Sequence, residues 1–137
     1  MSDTIFQFSK QDILGGKIYP PSWYRVRIDD VVAGPSKNLE KPSTNFNIKG
    51  TILMDADTGD KVYADHPVGN WMFNSRAMGF AKGFLVALGV AEESIDENTR
   101  FDFKAAIGKE IDVYIENDLY EGRQVNRVNH KYRQPRA

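Results

Sequence analysis

Cysteine is absent from the 137 residues, which excludes a disulfide scaffold, a thiolate zinc site and a cysteine nucleophile. It also leaves no argument for an oxidising compartment. Histidine is scarce, and His66 and His130 stand far apart in sequence. No HExxH pattern and no glycine-rich phosphate loop accompanies them. No apolar run approaches the ~20 residues of a membrane span. The N-terminus, MSDTIFQFSKQDILGG, lacks the positively charged start and apolar stretch of a signal peptide. The expectation is a cytoplasmic protein with no membrane association. An excess of one charge is missing too: the net charge is −1, whereas nucleic-acid-binding domains often carry a global positive surplus.

What is present is enough chain for one domain with a continuous core and an uneven distribution of charge. From Gly122 onward, GRQVNRVNHKYRQPRA holds Arg123, Arg127, Lys131, Arg133 and Arg136 with no carboxylate side chain, while Glu92, Glu93, Asp96 and Glu97 collect elsewhere. Such polarity suits a groove of one sign on a nearly neutral protein, and equally a solvated basic tail.

Residues 1–21 end in GGKIYPP and read as an arm before regular structure begins. SWYRVRIDDVV then alternates, with Tyr24, Val26 and Ile28 on one face and Trp23, Arg25, Arg27 and Asp29 on the other, which predicts a half-buried strand. A lysine-bearing loop, AGPSKNLEKPST, leads to NFNIKGTILM, a second strand in which Gly50 marks a bulge or barrel corner. The stretch DADTGD invites comparison with a calcium loop through Asp55, Asp57 and Asp60. The glycine falls one place early for that motif, and His66 stands where a bidentate glutamate belongs. A type I turn with a left-handed glycine fits better, joining the second strand to a third at KVYADHP.

Helical spacing begins at NWMFNSRAMGFAKGFLVALGV. Phe73, Ala77, Phe80, Ala81, Phe84, Leu85 and Leu88 share one face, Asn70 or Asn74 is the cap, and Gly89 the stop. Gly79 and Gly83 weaken this helix. A short helical turn at DFKAAIG precedes a fourth strand with Ile111, Val113 and Ile115 inward. LYEGR then turns into a fifth strand, whose apolar Val125 and Val128 are out of phase and predict a bulge.

Five strands with one α-helix between strands 3 and 4 is the order of the oligonucleotide-binding (OB) fold. The fold class expected is therefore mainly β, a five-stranded Greek-key OB-fold barrel spanning residues 22–132, with a short basic tail at 133–137. Over about Ser22 to Tyr132 the chain also resembles the small phage-encoded single-stranded-DNA-binding proteins of that fold. The resemblance rests on WYRVRI, SKNLEKPSTNFNIKGTI, GFAKGFLVALGV, FDFKAAIGKEIDVYI and EGRQVNRVNHKY. It implies protection of single-stranded DNA during phage replication or recombination inside a bacterial host, alongside replication or recombination proteins. Many such proteins end in an acidic recruiting tail, whereas this chain ends KYRQPRA, which puts tail-mediated recruitment in doubt.

Binding single strands without sequence preference needs cations for phosphate and flat aromatic faces for bases. Candidates on outward positions are Trp23, Arg25 and Arg27 in strand one, Lys37, Lys41, Asn45 and Lys49 in the loop and strand two, and Lys61 and Tyr63 in strand three. Arg123 and Arg127 border the same groove from the last hairpin. Trp71 and Phe46 read as core, and Tyr114, Tyr120 and Tyr132 as extensions of the path or of an interface. No cofactor is implied. Hydrolysis with Asp55, Asp57 and Asp65 around a cation lacks a partnering arginine in the same segment, so the expectation is a binding protein and not an enzyme. The competing reading is a protein-binding barrel that acts as an adaptor or inhibitor of a host enzyme. Edge strands and the TIFQF segment allow a strand-mediated homodimer.

Overall fold

A computed structural model describes residues 17–37 and 39–135. The TIFQF segment and Arg136 lie outside the described residues. The alternation of SWYRVRIDDVV becomes β1, Ser22–Pro35, with Tyr24, Val26 and Ile28 buried and Trp23, Arg25 and Arg27 on the opposite face. Ile28 and Val31 are both buried although three residues apart, and β1 achieves this by a register shift between Ile28 and Asp30 against β2, Thr44–Asp55. Gly50 pairs with Ile28 beside that shift. A Cβ there would stand 2.9 Å from Val68 Cγ2 and 3.3 Å from the Arg27 carbonyl oxygen, so glycine answers a close approach of chains.

After β2 the expected turn forms. Asp55 N–H donates to the Asp60 carbonyl at 2.8 Å, and Gly59 takes φ +76°. The Asp55 carboxylate accepts from the Asp57 and Thr58 amides and from the Ser22 hydroxyl. Burial works against its ionisation, but these hydrogen bonds prevail and hold its pKa below the ordinary carboxylate value.

The third strand corrects the sequence reading. KVYADHP forms turns, and β3 is Met72–Asn74, inside the segment read as the start of the helix. Trp71 and Phe73 are buried and Met72 is exposed, a period of two that the helical spacing of Phe73 with Ala77 concealed. The helix proper, α1, shrinks to Ala81–Ala87 after a 3-10 turn at Met78–Phe80. Its first flanking residue is Phe80, without a side-chain cap. Asn74 is no cap: its amide donates to Ser43 and Asn45, and its carbonyl oxygen accepts from the Arg76 amide. Gly89 ends the helix at φ +104°, as expected.

A 3-10 turn at Phe103–Ala106 leads into β4, Glu110–Tyr120, with Ile111, Val113 and Ile115 buried. Glu121 and Gly122, both at positive φ, connect it to β5, Arg123–Arg133, as a two-residue hairpin requires. The bulge expected between Val125 and Val128 does not form, since Val125 to Val128 pair without a break with Asp118 to Ile115; the register shifts further on instead, where Val113 pairs with Tyr132 but Ile115 with Val128, and His130 there adopts φ +50°.

The five strands make an antiparallel sheet in the order β3-β2-β1-β4-β5. The chain two residues before β3 reaches β5. Asn70 bridges Arg127 in parallel sense, donating to the Asn126 carbonyl at 2.9 Å and accepting from the Val128 amide at 3.0 Å. Tyr19, assigned with residues 1–21 to an arm, is 1% exposed in the core. Its hydroxyl donates to the Pro67 carbonyl, and its amide donates to Asn126 Oδ1. Residues just before Ser22 therefore belong to the packed body.

Candidate nucleic-acid interface

Pairing registers place the outward side chains in rows. Across β1, β2 and β3 these are Gly34, Asn45 and Asn74, then Val32, Asn47 and Met72, then Asp30 beside Lys49. Arg27 sits beside Thr51 beyond the bulge. Lys37 and Lys41 are exposed in the loop after β1, and Lys49 is exposed on β2. Val32 and Met72 are exposed apolar groups next to the amide of Asn47, a surface able to take a base edge as well as a base face.

Across β1, β4 and β5 the rows differ in kind. Arg25 opposes Asp112, which opposes Arg133. The Asp112 carboxylate is wholly buried and accepts from Arg25 Nε at 3.1 Å and Arg133 Nε at 3.3 Å, while Arg133 also pairs with Asp57. One row on, Trp23 and Tyr114 meet edge to face at 5.8 Å. The Arg133 guanidinium lies 4.2 Å from the Trp23 ring centroid, and Lys131 lies 5.3 Å from that of Tyr114.

These contacts divide the candidate cations. Arg25 is tied to Asp112, Arg27 to Asp29, and Arg127 to Glu116 and Asp118. The pKa values of Arg27 and Arg127 are raised, in each case chiefly by the hydrogen bond to the carboxylate, so the charges persist but are neutralised locally. Lys37, Lys49, Lys61 and Arg123 are exposed and make no ion pair among the described residues. Tyr63 is not on a strand. It packs at 5.0 Å against Tyr19 and 5.9 Å against His66, on the edge of the core. Trp71 is buried as expected, its indole N–H donating to the Tyr132 hydroxyl at 2.9 Å.

The site reading passed over Lys131 and Arg133, assigning them only to a basic terminus, and it took Phe80 as core. Tyr114, read as an extension of the path or of an interface, reaches Trp23 through strand register. The ion pairs were not legible, because Asp112 meets Arg25 and Arg133 only through strand register. Among the described residues no three acidic or histidine side chains converge as metal ligands, and no helix is long and apolar enough to cross a membrane. No family model and no curated protein matches the chain.

Asp112→Ala is expected to cost about 2–3 kcal/mol. That lies at or below the low end for breaking a buried ion pair, because Arg25 and Arg133, 17% and 22% exposed, can turn toward water. Urea unfolding of the two proteins measures the difference.

Proposed function

We propose that the chain is an OB-fold barrel that binds single-stranded DNA with little sequence preference. The resemblance extends this to covering DNA during phage replication or recombination. The barrel reading is supported by the strand order, by α1 falling between β3 and β4, and by the parallel Asn70–Arg127 bridge between β5 and the chain just before β3. The single-strand reading is carried by one observation: exposed Lys37, Lys49, Lys61 and Arg123 lack carboxylate partners among the described residues, while the arginines of β1 are paired to carboxylates. Exposed cations of this kind replace condensed counterions on phosphate. Trp23, covered by Arg133 and set edge to face with Tyr114, supplies a fixed aromatic group.

The expected signature is ionic. With all four free cations engaged, the logarithm of affinity for oligothymidine falls against the logarithm of salt with a slope of about −3, and Lys49→Ala makes it shallower by about 0.7. Titrations at four salt concentrations measure both. An affinity insensitive to salt would defeat the reading. That result would favour a protein-binding adaptor, for which a separate observation speaks: an apolar groove of about 420 Å³ lined by Phe46, Met78, Leu85, Ile95, Phe101 and Phe103.

A further inference from the structure

Phe80 is out of place for a core residue. Its spacing in sequence puts it on one helical face with Phe84, which is wholly buried, yet it stands in the turn just before α1 and is 58% exposed. One face of its ring is occupied: it stacks on His130 with centroids 4.8 Å apart and planes 20° from parallel. No other ring stacks on Phe80 among the described residues, and more than half of the residue is open to water.

The imidazole beneath is fixed from several sides. His130 Nδ1 shares a 2.8 Å hydrogen bond with the Tyr132 hydroxyl, which accepts from the Trp71 indole N–H. Phe73 packs against the imidazole at 5.0 Å. The left-handed backbone of His130, a conformation unfavourable for a residue with a Cβ, re-aims its side chain at the β5 bulge. Burial, then the nearby Arg127, lowers the imidazole pKa. Phe80 thus rides on a neutral ring anchored in the core. An exposed aromatic whose orientation is set in advance loses little entropy when a flat ligand settles on it. Arg76, four residues earlier, is exposed and makes no ion pair among the described residues, which places a phosphate-seeking group on the same connection between β3 and α1.

We infer that the outer face of Phe80 seats one unpaired nucleobase, stacked in line with the ring and with His130 beneath it. The inference rests on the single-strand-binding reading and adds to it a site outside the strand rows. Base stacking on an aromatic side chain predicts a specific order of substitutions. Phe80→Ala weakens oligothymidine binding by roughly 5- to 150-fold, Phe80→Leu by nearly as much, and Phe80→Trp preserves it. The salt slope stays unchanged in all three, because no phosphate contact is lost.

The test is anisotropy of labelled oligothymidine with wild type and the three variants. It is paired with photo-crosslinking of an iodouracil-substituted oligomer and mapping of the crosslinked peptide. Circular dichroism and unfolding midpoints check that each variant folds; should Phe80→Ala fail this, Phe80→Leu against Phe80→Trp carries the comparison. The expected result is loss in Ala and Leu, retention in Trp, and a crosslink at Phe80. Wild-type binding with equal affinity in Leu and Trp and no crosslink at Phe80 overturns the inference and leaves the function standing. Absence of wild-type binding at any salt overturns the function itself, and the inference with it.

Discussion

Gly69→Ala is expected to destabilise the protein by roughly 3 kcal/mol or more, combining overpacking with backbone strain. Gly69 sits at φ +103°, and a Cβ there would lie 2.6 Å from the Asn126 carbonyl oxygen, 2.8 Å from Asn126 Cβ and 3.0 Å from its carbonyl carbon. Backbone cannot give way as the end of a flexible side chain does. Asn126 is also tethered: it is buried, and its side chain accepts from the Tyr19 amide and donates to the Lys17 carbonyl. The next residue, Asn70, makes two backbone hydrogen bonds to β5. The damage therefore falls where the backbone of β5 meets the chain leading to β3. Gly59→Ala is the control, since Gly59 is at φ +76° with open space around it and should lose only about 1 kcal/mol from the left-handed backbone. Thermal or urea unfolding compares the two. Equal losses would mean that the approach at Gly69 is not a tight constraint.

Reversing Lys37, Lys49 and Lys61 together to glutamate is expected to weaken oligothymidine binding by roughly 100- to 1,000-fold at low salt. Each reversal removes an attraction of about 1 kcal/mol and installs a repulsion, both reduced by screening. All three side chains are exposed and carry no ion pair among the described residues. Stability should thus shift by no more than about 0.5 kcal/mol per site. Arg25→Glu behaves differently, because it places a carboxylate against buried Asp112 and acts through folding. Unfolding midpoints beside binding curves separate the two effects. Unchanged affinity in the triple variant would remove these lysines from the interface.

Period-two alternation made β1, β2 and β4 legible: the residues named inward in β1 and β4 are buried, and in β2 Ile48 and Ile52 are, while Phe46, read as core, is only half-buried. The turn at Asp55–Asp60 and the helix stop at Gly89 followed from glycine arguments that need only local chain, whereas the phase of Val125 and Val128 misplaced the β5 bulge, which lies after Val128. The failures share a cause. β3 is three residues long, too short for a period to declare itself, and its pairing to Asn45–Asn47 is a tertiary fact. Tyr63 and Lys61 were assigned to a strand that does not form, so their surroundings could not be foreseen. In the site, residue types were readable but partners were not. Arg25, Arg27 and Arg127 look like phosphate ligands in sequence and are held by carboxylates in space. Phe80 shows the converse, an apolar helix-face residue left in solvent because the helix begins one residue later.

The most direct test of the account is the anisotropy of a fluorescently labelled oligothymidine titrated with the whole chain at low and moderate salt, beside a duplex of matched length. The account predicts micromolar or tighter binding to the single strand, weakened by salt and feebler for the duplex. No binding to the single strand at low salt, or equal binding to both at each salt, would contradict it.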